Sequence, residues 1–265
     1  MPKVTVRDRV LSYDVNPRSY HETAPAVLFI HGSGRDFEDW QGQLSGLSKT
    51  VTAVAVDLPG HGGSAPPGES SVDAYGRWIA DFIEALRLRK VVVVGSSLGS
   101  AIALWLGINP RPWLAGIGIV GGGARLRVHP DFLEGLKVDH AKAAAGLTDF
   151  ALSRKTVGSL RAEVQEKFLK CPAEITYGDL GACDRFDVMD KLGNITVPAW
   201  LCVGEDDRLT PVKYSAFLKD RIADSHMDVV PDAGHMVFLE QVERFNGLLA
   251  QFLARVEAAT HSPGE

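Results

Sequence analysis

Two adjacent serines in the sequence could act as a nucleophile. They are Ser96 and Ser97 in the stretch VVVVGSSLGSAIALWLG, which runs from a strand pattern directly into a helix pattern. A serine carried on a very tight strand-to-helix turn requires glycine two residues before it and two residues after it, because a Cβ there would collide with the folded-back backbone. Gly95 and Gly99 fill those positions around Ser97, whereas valine and leucine fill them around Ser96. We therefore predict Ser97 as the nucleophile.

Ser97 would need partners, because a serine hydroxyl is a poor nucleophile without a histidine base and an acid that orients the base. Apolar runs that predict buried strands alternate with segments of helical spacing, after a hairpin pattern at residues 4–15. This alternation is typical of a doubly wound α/β fold with a mostly parallel sheet. The predicted strands cover residues 26–31, 51–57, 91–94, 114–120, 197–203 and 227–230, and the main helices cover 71–88, 98–108 and 238–256.

The α/β alternation breaks between residues 121 and 192. Helical stretches follow one another there with no convincing strand, near residues 131–145, 148–157, 160–170 and 173–181. The simplest interpretation is a helical insertion that lies over one end of the sheet. We therefore expect a core domain of residues 1–120 and 193–265, with residues 121–192 as a helical cap.

Polar side chains follow the carboxyl ends of three predicted strands, at the edge where ligands bind in open parallel sheets. Ser97 follows the third buried strand, the adjacent Asp206 and Asp207 follow the fifth, and His235 follows the last. A serine, an acid and a histidine therefore fall at one edge of the sheet in that chain order. Such a set would support nucleophilic catalysis.

The composition argues against several other classes of function. The formal net charge is −5 and there is no run of Lys or Arg, so neither nucleic acid nor a membrane surface is an expected partner. The N-terminal residues lack the apolar region of a signal peptide, and three cysteines without a CxxC pair predict neither a disulfide framework nor a zinc site. We expect a soluble, cytoplasmic protein with no metal and no other cofactor.

Four local patterns together resemble those of the serine hydrolases of the α/β-hydrolase fold. They are HGSG at 31–34, DLPGHGGS at 57–64, GSSLG at 95–99, and GEDDRLTP at 204–211 followed by PDAGHMVFLE at 231–240. The resemblance covers nearly the whole chain and implies an α/β-hydrolase fold with a helical cap insertion. It also implies Ser97 as nucleophile, His235 as general base, and an oxyanion hole formed by the backbone N–H groups of Ser33 and Leu98.

The resemblance places the acid in a Gly-x-x-Asp-x-x-x-Pro frame, which Gly204, Asp207 and Pro211 match. Asp206 stays as the alternative, since adjacent side chains on such a turn point in different directions. Some relatives place the acid after the preceding strand, but here that loop reads GGGARLR and holds no carboxylate.

The remaining histidines are interpreted as structural or superficial. His31 and His61 lie in glycine-rich turns, where the resemblance suggests hydrogen bonds that shape the site. The others have no partner at metal-ligand spacing and are expected at the surface; they are His21, His129, His140, His226 and His261.

The resemblance implies a carboxylic ester hydrolase that acts through an acyl-enzyme on small to medium, apolar esters. Apolar residues of the predicted cap are expected to line part of an acyl pocket; they are Phe132, Leu136, Leu147, Phe150, Phe168, Ile175 and Tyr177. A lactonase, a carbon–carbon bond hydrolase or a perhydrolase would use the same residues, although Met236 stands where carbon–carbon hydrolases often have tryptophan. Outside enzymes, the alternative is a sensor that binds a small ligand in a similar pocket.

Overall fold

One sheet of eight strands forms the centre of the molecule in the described part of the chain. The computed structural model describes residues 1–16, 25–47 and 51–261. The strands are β1 Lys3–Val6, β2 Arg9–Val15, β3 Ala26–Ile30, β4 Ala53–Val56, β5 Val91–Ser96, β6 Leu114–Val120, β7 Ala199–Gly204 and β8 Ser225–Val230. Their order across the sheet is β1-β2-β4-β3-β5-β6-β7-β8, with β3 to β8 parallel and the β1–β2 hairpin antiparallel to β4. The predicted mostly parallel α/β fold is confirmed.

Helices surround this sheet. They are α1 Gln41–Gly46, α2 Val72–Ala85, α3 Leu98–Ile108, α4 Pro130–Val138, α5 His140–Ala151, α6 Gly158–Lys170, α7 Ala173–Arg185, α8 Val212–Lys219, α9 Val237–Glu240 and α10 Val242–His261, with short 3-10 helices at Phe37–Trp40 and Met189–Asn194. In the part of the chain that the structure describes, no helix is both long enough and apolar enough to cross a membrane.

The central strands are apolar on both faces because both faces are covered. In β5, Val91 and Val93 pack into the hydrophobic cluster on one side of the sheet, and Val92 and Val94 pack into the cluster on the other side. All four side chains are fully buried. A strand that is buried on both faces cannot alternate apolar and polar residues, which is why the run VVVV predicted it.

The strand register brings the loops that follow the strands to one edge. Ser96 at the end of β5 pairs with Val120 at the end of β6, and Gly204 at the end of β7 pairs with Val230 at the end of β8. The residues that follow these strands therefore leave the sheet at the same edge, as the parallel topology requires.

Helices α4 to α7 lie between β6 and β7 and are called the inserted helices below. They fall within residues 121–192, but their boundaries differ from the prediction of helices over 131–145 and 148–157. The helical pattern is interrupted at Asp139, whose side chain accepts a hydrogen bond from the Lys142 N–H and caps α5. Helical periodicity does not detect an N-capping residue, such as Asp139, inside an otherwise continuous helical pattern.

A buried carboxylate joins α7 to the core. Asp179 accepts hydrogen bonds from the Gly34 N–H at 3.0 Å, the Tyr75 hydroxyl at 2.7 Å and His61 Nε2 at 2.8 Å. His61 Nδ1 lies 3.1 Å from the Pro59 carbonyl oxygen, so both ring nitrogens face acceptors and the ring is held as the imidazolium. Burial lowers the pKa of His61, but the Asp179 carboxylate outweighs burial and the pKa is raised.

We expect Asp179→Ala to destabilise the protein by about 3–5 kcal/mol, because it leaves a buried imidazolium and two buried donors without their acceptor. Urea denaturation monitored by tryptophan fluorescence measures the change. Glu174→Ala is the matched control, since Glu174 is an exposed acid on the same helix. Equal shifts of the unfolding midpoint in the two variants would contradict the role given to Asp179.

Candidate active site

Ser97 lies in a strained turn between β5 and α3. Its φ of 55° and ψ of −113° form a conformation that residues other than glycine rarely adopt. A Cβ at Gly95 would lie 1.9 Å from the carbonyl oxygen of Gly99, and a Cβ at Gly99 would lie 2.3 Å from the carbonyl oxygen of Ile30. Neither position can carry a side chain, so the glycine spacing is required by contacts within the turn and against the end of β3.

Backbone hydrogen bonds hold this turn. The Ser97 N–H donates to the Val120 carbonyl at the end of β6, at 3.0 Å, and the Ser97 carbonyl accepts from the N–H groups of Ser100 and Ala101 at 2.9 and 3.1 Å. Ser96 is only 3% exposed at the end of β5, whereas Ser97 is partly exposed. The turn therefore makes the Ser97 hydroxyl the more accessible of the two.

Asp207 and His235 form a buried pair. His235 Nδ1 lies 2.9 Å from Asp207 Oδ2. A carboxylate can only accept, so Nδ1 carries the proton and Nε2 of the neutral ring is left to accept one. Thr210 fixes the acid, since its Oγ1 donates to Asp207 Oδ2 at 2.8 Å and its N–H donates to Asp207 Oδ1 at 2.8 Å.

The pKa shifts of the pair follow from burial and mutual attraction. Burial raises the pKa of Asp207, but His235 and the hydrogen bonds from Thr210 outweigh burial and hold the pKa below its usual value. Burial lowers the pKa of His235, but the Asp207 carboxylate outweighs burial and raises it above 6.5. Asp207 therefore stays ionised near neutral pH, and it stabilises the imidazolium that forms when His235 accepts a proton.

Asp206 has a different partner. Its Oδ2 accepts a hydrogen bond from Ser153 Oγ at 2.6 Å, just beyond the end of α5. Within the described chain, Asp207 and not Asp206 is hydrogen-bonded to His235. The geometry favours Asp207 over Asp206 as the acid.

The inserted helices hold the loop that carries His235. The His235 N–H donates to the Ala151 carbonyl at the end of α5, at 2.8 Å. Glu240 accepts from the Gly234 N–H at 2.9 Å with one carboxylate oxygen and from the Ser153 N–H at 2.8 Å with the other. The backbone around His235 is therefore tied to the insertion and is not free to move alone.

The loop that follows β3 passes beside Ser97. A Cβ at Gly32 would lie 3.2 Å from the Ser97 Cβ. The backbone N–H groups of Ser33 and Leu98 donate to no other group in the described part of the chain. Leu98 opens α3, so its N–H lies at the positive end of the helix dipole. Both amides are available to an oxygen of a bound molecule.

Ser97 and His235 line the same cavity, which has a volume of about 280 Å³. Both also line a smaller adjoining cavity of about 50 Å³. His235 Nε2 is buried and has no hydrogen-bond partner among the described residues, so the Ser97–His235 hydrogen bond is not formed in this state. Catalytic hydrogen bonds are often long without substrate and tighten in the complex. Nε2 is thus open to accept a proton.

Four of the seven apolar residues expected to line an acyl pocket do line these cavities. They are Phe132, Leu147 and Phe150 in the larger cavity and Phe168 in the smaller one. Among the described lining residues, Leu136, Ile175 and Tyr177 are absent from both cavities, so the expectation is wrong for these three.

Sequence reasoning missed several polar side chains of the site. Thr210 holds the acid, and Arg127, Arg208 and Tyr214 line the larger cavity. The Asp-x-x-Thr spacing, typical of a turn in which a side chain accepts backbone hydrogen bonds, could have identified Thr210. No local pattern marks Tyr214, which packs near Gly123 in the loop after β6.

His31 is a structural histidine below the site. Its Nδ1 donates to the Gly32 carbonyl at 2.8 Å, and its Nε2 accepts from the Leu58 N–H at 3.0 Å. Burial is the main cause that lowers the pKa of His31 to about 3, so the ring is neutral. These two bonds connect the loop after β3 to the loop after β4.

The other histidines differ in exposure, and two of them fall at least partly outside the described residues. His129 is exposed, as expected, but it also lines the larger cavity. His140 is partly buried and His226 is exposed, whereas His21 and the side chain of His261 lie outside the described residues. In residues 1–16, 25–47 and 51–261, no group of three or more His, Cys, Asp or Glu is arranged to hold a metal ion.

Comparison with known sequences extends over most of the chain. The profile of the family described as "Alpha/beta hydrolase family" matches residues 27–248. The chain is 26% identical to 3-oxoadipate enol-lactonase 1 from Acinetobacter baylyi over 246 residues, 89% of this chain and 91% of the relative. It is also 26% identical to a pimeloyl-[acyl-carrier protein] methyl ester esterase from Neisseria meningitidis over 253 residues, 90% of this chain and 80% of the relative.

Solved structures show the same similarity. The structure of a thermophilic esterase is 35% identical, with a TM-score of 0.86 over 96% of this chain and 97% of that chain. The enol-lactonase from Burkholderia xenovorans has a TM-score of 0.88 over 96% of this chain and all of that chain, at 19% identity, which shows a shared fold. The named relatives are esterases and lactonases, which supports an ester-hydrolysing activity for this chain.

We expect Asp207→Ala to lower kcat for an ester about 10³–10⁴-fold, because the imidazole loses the group that sets its tautomer and orientation. Asp206→Ala is the matched control and is expected to lower kcat less than about tenfold, since Asp206 contacts Ser153. Steady-state hydrolysis of p-nitrophenyl butyrate measures both. A larger loss in Asp206→Ala than in Asp207→Ala would contradict the assignment.

Proposed function

This chain belongs to the alpha/beta hydrolase family, and on that premise we propose that it is a carboxylesterase that works through an acyl-enzyme on Ser97. The observation that carries the proposal is the state of His235. Its Nδ1 is hydrogen-bonded to Asp207, while its Nε2 is buried without a hydrogen-bond partner among the described residues and His235 lines the same cavity as Ser97. An imidazole arranged in this way is a general base for a neighbouring hydroxyl.

In the first half of the proposed reaction, Ser97 Oγ attacks the ester carbonyl carbon as His235 Nε2 takes the hydroxyl proton. The carbonyl oxygen becomes an oxyanion, which the N–H groups of Ser33 and Leu98 stabilise; one such donor typically contributes about 3–4 kcal/mol to lowering the barrier. The imidazolium then gives its proton to the leaving alkoxide. The carbon–oxygen bond to the alcohol breaks, and an ester of Ser97 remains.

In the second half, water hydrolyses that ester. His235 takes a proton from the water while the oxygen attacks the acyl carbon, and the same two amides stabilise the second oxyanion. The collapse of this intermediate returns the proton to Ser97 Oγ and releases the carboxylic acid. Asp207 stays ionised throughout and keeps Nδ1 protonated, which leaves Nε2 as the atom that exchanges protons.

The inserted helices would act as a cap over the site. They contribute Phe132, Leu147 and Phe150 to the larger cavity, which the core residues Ser97 and His235 also line. An apolar wall favours an apolar acyl or alcohol group. The volume of about 280 Å³ would hold a small to medium group of this kind. A cyclic ester would react by the same steps, so lactones belong to the proposed substrate class.

We expect Ser97→Ala to abolish hydrolysis of p-nitrophenyl esters, with a loss of about 10⁶-fold in kcat, because the nucleophile is removed. Ser96→Ala is the matched control and should keep most of the activity, since Ser96 is buried at the end of β5. A panel from acetate to decanoate tests both variants against wild type. If the wild-type protein hydrolyses none of these esters but binds a small ligand and a partner, the result would favour a sensor instead.

We expect kcat/KM for p-nitrophenyl acetate to rise with pH, with a midpoint above pH 6.5. The imidazole must be neutral to accept the serine proton, and Asp207 raises the pKa of His235 above 6.5, so protonation removes activity below that midpoint. Rates measured from about pH 5 to 9 give the profile. A midpoint well below pH 6.5 would be inconsistent with an ionised Asp207 paired with His235.

A further inference from the structure

A third cavity lies beside the larger of the two cavities that Ser97 lines, which is called the active-site cavity below. It has a volume of about 360 Å³, and its lining includes Arg125, Arg127, Met189, Lys213, Tyr214 and Phe217. We propose that this cavity, called the cationic groove below, binds a carboxylate at the end of the substrate that is distant from the reacting ester. The inference rests on the proposed esterase function and narrows its substrate class.

The cationic groove adjoins the active-site cavity. Arg127 and Tyr214 line both, so one face of each side chain borders each space. In the proposed binding mode, a substrate whose ester lies at Ser97 extends past Tyr214 into the groove. The reacting group and a distant group of the same molecule would occupy neighbouring parts of one binding site.

The lining of the groove is positively charged, and the acids paired with its two arginines, Asp187 and Asp184, lie outside the lining. Arg125, Arg127 and Lys213 line the groove. No Asp or Glu lines either cavity in the described part of the chain, although the chain as a whole has 33 acidic and 28 basic residues. The positive charge is therefore local, in a protein whose net charge is negative. Such a concentration of like charge is stabilised by an anionic ligand.

The three cations of the groove differ in their ion-pair partners. Lys213 forms no ion pair with a described residue, and its Nζ lies 5.9 Å from the centre of the Tyr214 ring. Arg125 Nε lies 3.4 Å from an Asp187 oxygen. Arg127 Nη1 donates a hydrogen bond to the Asp184 carbonyl oxygen at 2.5 Å and lies 3.9 Å from an oxygen of the Asp184 carboxylate. Each guanidinium has five N–H donors, so both can bind a further carboxylate.

Arg208 in the active-site cavity differs from these cations. Its guanidinium donates to the carbonyl oxygens of Asp149 and Leu152, and it lies over the Phe150 ring at 5.0 Å. It is thus held by the end of α5 and serves to join the insertion to the core. Lys213, the cation with no ion pair among the described residues, lines the groove and not the active-site cavity.

The remaining lining of the groove is apolar. Met189, Tyr214 and Phe217 would contact a hydrocarbon segment, while the cations bind its charged end. The ligand that satisfies both features has an ester, a hydrocarbon spacer and a carboxylate. If the carboxylate belongs to the acyl group, the substrate is a half-ester of a dicarboxylic acid. If the carboxylate belongs to the alcohol, the substrate is an ester formed on the hydroxyl of a hydroxy acid.

The test compares matched anionic and neutral esters. In the first arm, the substrates are the mono-p-nitrophenyl esters of adipic and suberic acid and the corresponding methyl p-nitrophenyl diesters. In the second arm, 4-acetoxybenzoate is compared with methyl 4-acetoxybenzoate. We expect kcat/KM to be about tenfold higher for the anionic ester than for its neutral partner in at least one arm, as two or three partly exposed ion pairs would give. Added salt should reduce that ratio.

The double variant Arg125→Gln/Lys213→Met identifies the residues responsible. We expect it to lower the anionic-to-neutral ratio of kcat/KM to about one, through a higher KM for the anionic ester. Lys219→Met is the matched control, since Lys219 is an exposed lysine of α8 outside the groove, and it should keep the wild-type ratio. Ratios near one for wild type in both arms, or a preference that survives the double variant, would overturn the inference. Hydrolysis of the neutral diester would still support the proposed esterase function, whereas its absence would count against that function.

Discussion

The close approach of backbone to backbone around Ser97 is the constraint on which the site depends. The turn from β5 to α3 forces a positive φ at Ser97 and leaves no room for a Cβ at Gly95 or Gly99. Strain of this kind persists only where the surrounding structure imposes it. Here the imposed contacts come from the ends of β3 and β6, so the parallel sheet itself positions the hydroxyl at the edge where Asp207 and His235 also lie.

The inserted helices are hydrogen-bonded to both halves of the proposed machinery. The end of α5 accepts from the His235 N–H, and Glu240 joins the same loop to Ser153. On the other side, Asp179 of α7 accepts from Gly34, next to the proposed oxyanion donor Ser33. A displacement of the insertion would therefore disturb the base and the oxyanion donors together. The positions of these groups are coupled through hydrogen bonds that are largely buried.

The sequence predicted the parts of the site whose cause is local. A glycine two residues on either side of Ser97 reflects the turn itself, and four consecutive valines reflect a strand covered on both faces. The choice of Asp207 over Asp206 depended on the residue spacing that the family resemblance implies, and it gains support from the turn that Thr210 closes. The helix boundary at Asp139 was missed because a capping side chain interrupts the pattern without changing its period. Tyr214 and Arg127 could not be found, since their place beside the cavity results from packing between distant segments.

The central claim is that Ser97 is a nucleophile activated by His235, and covalent labelling tests it most directly. A fluorophosphonate reacts with an activated serine and leaves a stable phosphonyl group on its oxygen, which peptide mass spectrometry locates. We predict one adduct, on Ser97, that is absent from Ser97→Ala and forms much more slowly in His235→Ala. An adduct on Ser96, or no adduct in the folded wild-type protein, would contradict the account.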